Sequence, residues 1–244
     1  MLNIMIHHLH GNGFDPVKGS VHIDDLEKVI DKYGDTARYT FDDRLLSQQL
    51  AVELLDKKGI RGWFFVCHHN VMEQDRMTRE RTPDFYRWLA GQIGVNAISD
   101  MPSDFLSEFK FYTLNDRIYR YFRDIQNPKL HESIMSPLRQ PIELLPLSKI
   151  KHHNIGMHSY SHPNNMDTMS NMEQMNEWWY CFDWLYHMNG IDIASASYPM
   201  GRYNDCTLDQ MYVYDIKLGF TSSEVAGESD LELPRTDIKK LIWK

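Results

Sequence analysis

Two short stretches of the sequence carry residues that could do hydrolytic chemistry. Asp42 and Asp43 are adjacent, and they close residues 38–43, a run of the residue types typical of strands. His158 and His162 lie far downstream, four positions apart, which predicts that both imidazoles lie on one face of a helical turn. A carboxylate and two imidazoles form a metal-binding set that leaves room for water, and the second carboxylate is then free to act as a base.

The residues around the aspartate pair predict how the pair is positioned. A β-branched and aromatic strand leads into it, and the apolar residues Leu50, Leu54 and Leu55 then follow at helical spacing. Gly59 ends the predicted helix, and residues 60–66 form a second apolar run. This pattern predicts a β-α-β unit with parallel strands and a right-handed crossover. In a barrel of such units, chemistry lies at the C-terminal ends of the strands, where the pair is placed.

The order of these motifs resembles the polysaccharide deacetylase family, the carbohydrate esterases with a NodB-type domain. Thr40-Phe-Asp-Asp43 and His158-Ser-x-x-His162 are similar to two motifs of that family. Ser197-Tyr-Pro-Met-Gly-Arg-Tyr-Asn204 is similar to its third motif, and residues 232–238 are similar to its closing strand. The resemblance extends from about residue 39 to residue 238, with a gap in the middle. It implies an α/β fold, a distorted (β/α) barrel that forms one domain over residues 1–244.

The resemblance assigns a role to each site residue. Asp43, His158 and His162 hold a divalent metal, and Asp42 takes a proton from the attacking water. The backbone N–H at Met200 stabilises the oxyanion. A metal at such a site polarises the substrate carbonyl and lowers the pKa of bound water. The ligand types favour zinc, although imidazole-carboxylate sites also bind cobalt, nickel and iron.

The sequence departs from the family pattern at three points. Arg44 replaces the glycine that usually follows the aspartate pair, which places a cation at the rim of the site. Ser197 replaces the arginine of the third motif. The family's late histidine, a general acid, has no counterpart, because His187 is the last histidine. Either another residue protonates the leaving amine, with His8, His10, His68 and Arg235 as the candidates, or the protein is not a standard deacetylase.

The residues that contact substrate are predicted around the mouth of the barrel: His8, His10, Arg44, His68 and Tyr198. Residues 72–149 separate the first two motifs and are rich in aromatic residues, Met and Arg. We expect a mostly helical insertion there, because residues 84–90 and 115–124 have helical patterns, and prolines break the pattern outside these two segments. The insertion follows a strand that ends at the active-site face, so it is expected to supply at least one side chain to the metal cleft. A packing role alone is the alternative.

Bulk properties argue against several classes of protein. The net charge of −8 over 244 residues disfavours a nucleic-acid partner, because such proteins carry basic stripes. The three cysteines contain no Cys-x-x-Cys motif, which argues against a disulfide framework or a cysteine-based zinc site. No basic leader and no run of about 18 apolar residues is present, so we expect a cytoplasmic protein without a transmembrane segment.

The sequence therefore predicts a metal-dependent hydrolase that removes an N-acetyl or other N-acyl group from an amino sugar. With no export signal, the carbohydrate substrate is expected to be a biosynthetic intermediate of a surface glycan. One alternative enzyme removes a formyl group instead. The alternative that is not an enzyme is a degenerate glycan-binding protein of the same fold, which the missing late histidine motivates.

Overall fold

The computed structural model describes residues 1–17, 19–70 and 143–242. The strands of this part of the chain are short: β1 (Leu2–Ile6), β2 (Leu9–His10), β3 (Val21–His22), β4 (Ala37–Phe41), β5 (Trp63–Val66), β6 (Asn154–Met157), β7 (Ser195–Ser197), β8 (Leu218–Phe220) and β9 (Thr236–Asp237). Its α-helices are α1 (Ile23–Tyr33), α2 (Gln49–Lys58), α3 (Leu147–Ile150), α4 (Asn171–Asp183), α5 (Asp205–Val213) and α6 (Lys239–Ile242).

Seven of the strands form one sheet in the order β8-β7-β6-β5-β4-β1-β9. Every neighbouring pair in this sheet is parallel, as the predicted β-α-β unit requires. The strands read as nearly continuous apolar runs because both of their faces are buried. Ile4, Tyr39, Phe41 and Phe64 are at most 1% exposed. The carboxyl ends of β4, β5, β6 and β7 therefore lie side by side.

One segment, residues 230–237, links the two edges of the sheet. Leu233 hydrogen-bonds β8, donating its N–H to Gly219 O at 2.8 Å. Three residues later, β9 pairs with β1, where Thr236 lies opposite Ile4. The sheet therefore curls, and this seam between β8 and β1 confirms the predicted distorted (β/α) barrel. The predicted last strand is correct in place but only two residues long, because the segment bonds first to one edge and then to the other.

The helices mostly begin and end where their capping residues predict. Gly59 has φ 68° and closes α2, and its N–H bonds to the last turn. Ser170 and Glu173 form a capping box at the start of α4, a Ser and a Glu three residues apart. α5 begins at Asp205, because the side chain of Asn204 accepts a hydrogen bond from Thr207 N at 3.2 Å.

The predicted insertion lies largely outside the described residues. This holds for the helices predicted at residues 84–90 and 115–124 and for the arginines of the second one. Its last residues are described: Leu144 pairs with Leu45 in an antiparallel bridge, and α3 follows from Leu147. In the described part of the chain, no helix has both the length and the apolar character needed to cross a bilayer.

Candidate metal centre

The aspartate pair lies where β4 ends and the backbone turns. Phe41 is the last strand residue, and Asp43 and Arg44 follow with φ of 77° and 57°. Positive φ is uncommon outside glycine and marks a tight change of direction. The turn brings both carboxylates to His158, whose Nε2 lies 3.9 Å from Asp42 Oδ2 and 3.3 Å from Asp43 Oδ1. The pair shares one cleft, as predicted for the end of a strand.

The two histidines lie in the loop that follows β6, and the predicted helical turn is wrong. His158 comes directly after the strand, and Ser159 and His162 adopt left-handed φ of 60° and 56°. Ser159 Oγ accepts a hydrogen bond from His162 N at 3.1 Å, which folds the loop back. The two imidazole rings lie 4.8 Å apart as a result. The spacing of four residues still brings the rings together, but through a loop.

A carboxylate on α4 holds this loop in place. Glu177 Oε2 accepts hydrogen bonds from the backbone N–H groups of Tyr160 at 3.0 Å and Ser161 at 2.8 Å. Glu177 Oε1 accepts another from Ser161 Oγ at 2.7 Å. These three bonds fix the backbone between the two histidines. No sequence motif marks Glu177, because its partners are mostly backbone groups.

The geometry of the three ligand atoms fits a divalent metal. Asp43 Oδ1 lies 3.0 Å from His162 Nε2 and 3.3 Å from His158 Nε2. It is buried and has no directed hydrogen bond within the described residues, so a cation would satisfy it. His158 donates from Nδ1 to Ser197 O at 2.8 Å, which leaves the lone pair of Nε2 directed at the centre. A carboxylate and two imidazoles suit zinc and other first-row metals.

Electrostatics keep Asp43 in the ionised form that binds a metal. Burial alone would raise the pKa of Asp43, but His162 and His158 hold it well below its usual range. Burial conversely lowers the pKa of His162, and the Asp43 carboxylate raises it. Asp43 therefore stays ionised, and because the pKa of His162 is raised overall, a metal ion would compete with a proton for that imidazole.

Asp42 forms a buried, bidentate ion pair with Arg235. Arg235 Nη1 donates to Asp42 Oδ1 at 2.7 Å and Nη2 donates to Asp42 Oδ2 at 2.8 Å, while Ser197 Oγ lies 3.1 Å from Oδ2. Burial alone would raise the pKa of Asp42, but the charge of Arg235, followed by that of His158, lowers it to about 2. The guanidinium of an arginine does not deprotonate in proteins. Arg235 is thus the positioning partner of Asp42, which corrects its prediction as a proton donor.

The structure also brings in His7, which the sequence analysis did not select. His7 follows β1, the neighbour of β4, and its Nε2 lies 4.0 Å from Asp42 Oδ2. The predicted candidate His10 instead hydrogen-bonds Ser20 Oγ through Nδ1 at 2.8 Å. The other candidate, His8, is half-buried, and its backbone O accepts from Val21 N at 3.0 Å. Successive residues of an extended chain face opposite sides, so the strand register decides which histidine reaches the centre.

His68 and Arg44 lie beside the metal-binding loop. His68 follows β5, and its ring stacks on Tyr160 with centroids 4.8 Å apart. Burial lowers the pKa of His68, and the neighbouring His69 and Arg44 lower it further. Arg44 donates from Nε to Leu145 O at 2.9 Å, and its Cζ lies 5.0 Å from the centre of the Trp184 ring. Both residues are placed at the predicted mouth, and their contact with substrate stays a prediction.

Tyr198 and Met200 follow β7 and differ in exposure. Tyr198 is fully buried and donates its hydroxyl hydrogen bond to Leu231 O at 2.7 Å, so it packs in the core and does not face a substrate. This corrects its prediction as a substrate-binding residue. Met200 has φ 55° and a side chain that is largely exposed, in a 3-10 turn three residues after Ser197. The role of its backbone N–H stays a prediction.

A second cluster of possible ligands has a different chemistry. Asp56 Oδ1 lies 2.7 Å from His152 Nε2 and 3.5 Å from His153 Nε2. His153 Nδ1 accepts the N–H of Gly62 at 3.2 Å, so its proton is on Nε2, the atom that faces Asp56. A neutral imidazole whose Nδ1 accepts a hydrogen bond and whose Nε2 carries the proton has no lone pair free for a metal. The cluster is a hydrogen-bonded connection between α2 and the start of β6.

Several solved structures share the fold of this chain. The deacetylase PplD of Streptococcus pyogenes, in complex with acetate, aligns with 100% of this chain and 96% of its own at 17% identity and a TM-score of 0.55. IcaB from Ammonifex degensii aligns over 99% and 95% at 12% identity and a TM-score of 0.60. The polysaccharide deacetylase BC0361 from Bacillus cereus aligns over 98% and 67% at 13% identity and a TM-score of 0.56.

These matches confirm the predicted resemblance to polysaccharide deacetylases at the level of the fold. Identities of 17% or less show a shared architecture and carry no assignment of substrate. No protein-family model matches the chain, and no curated protein matches it in sequence. The chemistry of the site must therefore be argued from the residues of this chain.

Proposed function

We propose that this protein is a metal-dependent hydrolase that removes an N-acyl group, in the first place acetyl, from an amino sugar. The observation that carries the proposal is the convergence of Asp43, His158 and His162 beside a separate, fixed carboxylate, Asp42. Three ligands leave an open position, which is typical of catalytic rather than structural metal sites. The fold shared with solved deacetylases supports the same reaction class.

Asp43, His158 and His162 would hold the metal, and zinc is the proposed ion. A divalent metal there supplies polarisation of the amide carbonyl and a more acidic water. Asp42 Oδ2 is the oxygen of the free carboxylate that faces this side, 3.9 Å from His158 Nε2. It accepts a proton from the water that attacks the amide carbon. The ion pair with Arg235 keeps it ionised at every working pH, because its pKa is about 2.

The leaving amine requires a proton when the carbon–nitrogen bond breaks. Asp42, with its low pKa, holds the proton only weakly and can pass it on. We assign the delivery of this proton to His7, whose Nε2 lies 4.0 Å from Asp42 Oδ2 and whose side chain is 41% exposed, so that it can meet a substrate. His7 thus fills the role left open by the missing late histidine. The products are a free amino sugar and the released acid, acetate in the first place.

Two further parts of the proposal concern the group that stabilises the oxyanion and the cellular location of the substrate. The backbone N–H of Met200, in the turn after β7, is assigned to the oxyanion, since such donors contribute strongly to acyl transfer. A substrate made inside the cell, such as a biosynthetic intermediate of a surface glycan, fits the proposed cytoplasmic location.

The experiment is an assay of acetate release from acetamido sugars with protein that has been stripped of metal and reloaded with zinc or cobalt. We expect release that depends on the metal and is lost in Asp43→Asn. Asp56→Asn is the matched control, because it removes a carboxylate from the second His-Asp cluster and leaves the centre intact. Absence of acetate release from protein that carries one metal ion per chain contradicts the proposal.

A further inference from the structure

Arg44, the residue next to Asp43, has an unusual backbone conformation and no ion-pair partner among the described residues. Arg44 has φ 57°, a left-handed conformation that glycine adopts at little cost and that side chains disfavour. Residues kept in such conformations cluster at functional sites. The presence of an arginine in place of glycine at this strained position therefore points to a function of its side chain.

The guanidinium of Arg44 is half-buried, and its terminal nitrogens lack a partner in the described part of the chain. Nε donates to Leu145 O at 2.9 Å, and the planar group lies over the Trp184 ring at 5.0 Å. No carboxylate of the described residues lies within ion-pair range of it. Arg235 and Arg202, by contrast, each pair with an aspartate.

The surroundings of Arg44 place it on the side of the centre formed by the ends of β4 and β5. Trp184, on which it stacks, also contacts the ring of His68 at 5.0 Å. His68 in turn stacks on Tyr160, which belongs to the loop between the metal-binding histidines. Arg44, Trp184, His68 and Tyr160 form one continuous set of planar groups. Through His68 and Tyr160 this set reaches the loop that carries His158 and His162, so a sugar bound at the centre would lie beside it.

We propose that Arg44 binds an anionic group of the substrate, and that the preferred substrate is an N-acyl amino sugar carrying a phosphate or a carboxylate. This inference rests on the proposed deacylase function and adds the substrate class to it. Two parallel N–H groups of an arginine match two oxygens of a phosphate or a carboxylate. The contacts of the Arg44 guanidinium with Leu145 O and the Trp184 ring restrict its orientation.

The test compares kcat/KM for three acetamido sugars: neutral methyl N-acetylglucosaminide, N-acetylglucosamine 1-phosphate and N-acetylmuramic acid. We expect the protein to prefer at least one anionic sugar over the neutral one. The phosphate and the lactyl carboxylate separate the two sources of the anion. In Arg44→Gln the ratio of anionic to neutral kcat/KM should fall by about 10- to 100-fold, the range of a charged hydrogen bond, mainly through KM. Arg44→Lys should retain part of the preference for the anionic sugar, because lysine keeps the positive charge but cannot donate two parallel hydrogen bonds.

The control is Arg38→Gln. Arg38 also stacks on a tryptophan, Trp63, at 5.3 Å, but it lies on β4 itself, away from the end that carries the centre. Arg38→Gln should leave the ratio of anionic to neutral kcat/KM unchanged. Equal use of neutral and anionic sugars by the unmodified protein overturns the inference even if Arg44→Gln fails to fold. An unchanged ratio in a folded, zinc-loaded Arg44→Gln also overturns it and leaves the proposed function standing. Absence of turnover on all three sugars overturns the function itself, and the inference with it.

Discussion

Arg235 and Asp42 are joined across the seam of the barrel by two hydrogen bonds of 2.7 and 2.8 Å, and both side chains are almost completely buried. Arg235 lies in the segment that bonds first to β8 and then to β1, while Asp42 ends β4. The residue that closes the barrel therefore also fixes the free carboxylate of the site. This one pair therefore couples the stability of the fold to the proposed catalysis.

Arg235→Gln should destabilise the protein by about 3–5 kcal/mol at pH 7, because it leaves Asp42 buried without its counter-charge. The contribution of Asp42 has a defined pH dependence. Its pKa is lowered in the folded protein from 3.8 to about 2, so its stabilisation is present above pH 3.8 and is lost as the pH falls toward 2. Urea denaturation should show a difference between the two proteins that shrinks over this window. Arg202→Gln, which breaks an exposed pair with Asp167, should cost less than about 1 kcal/mol and serves as the control. A comparable loss in both variants contradicts the account.

Substitution of Asp42 and substitution of Asp43 should have different effects on zinc content. Asp43→Asn removes a ligand and should lower both zinc content and activity. Asp42→Asn removes the proposed base and should lower kcat by about 10²- to 10⁴-fold while zinc content stays near one per chain. Zinc is measured by elemental analysis after gel filtration. Equal loss of zinc in both variants means that the ligand and the base have been assigned the wrong way round.

His7→Gln should lower kcat by about 10²- to 10⁴-fold with zinc content and KM little changed, because it removes a proton donor and no ligand. His10→Gln is the matched control, since His10 is engaged by Ser20 in the β2–β3 pair. Steady-state kinetics of acetate release measure both. Full activity of His7→Gln shows that the proton comes from another group.

Glu177→Gln should weaken zinc binding by about 10- to 100-fold, the usual effect of changing a residue that orients metal ligands. The change weakens the acceptor of the three bonds that hold Tyr160 and Ser161 in the loop. Glu173→Gln, on the same helix, alters only its capping box and should leave the zinc dissociation constant unchanged. Competition with a zinc chelator measures the constant for each protein. Equal constants for the two variants mean that Glu177 does not position the metal-binding loop.

The sequence predicted what depends on local pattern and missed what depends on distant contacts. Asp43, His158 and His162 could be found because each lies in a short motif at the end of a strand. The path of the loop between the histidines could not be predicted, since the left-handed φ of Ser159 leaves no compositional signal. The pairing of Asp42 with Arg235 spans 193 residues and depends on how the barrel closes.

The sequence also does not show which of two neighbouring histidines lies near the centre. His7 and His8 have the same side-chain chemistry, and only the register of β1 against β4 decides which one reaches Asp42. Tyr198 was predicted at the site because it lies within a motif, yet its ring faces the core and its hydroxyl is bonded to Leu231. A motif identifies the segment that lies near the chemistry, whereas the direction of each side chain comes from the backbone of that segment.

The most direct test of the account is a zinc titration of metal-free protein in which acetate release from an acetamido sugar is followed at each addition. The account predicts a rate that rises linearly with zinc and reaches a plateau at about one ion per chain, with no response in Asp43→Asn and an unaltered response in Asp56→Asn. A rate that is already maximal in the presence of a strong chelator, or one that still responds to zinc in Asp43→Asn, would contradict a catalytic metal at Asp43, His158 and His162.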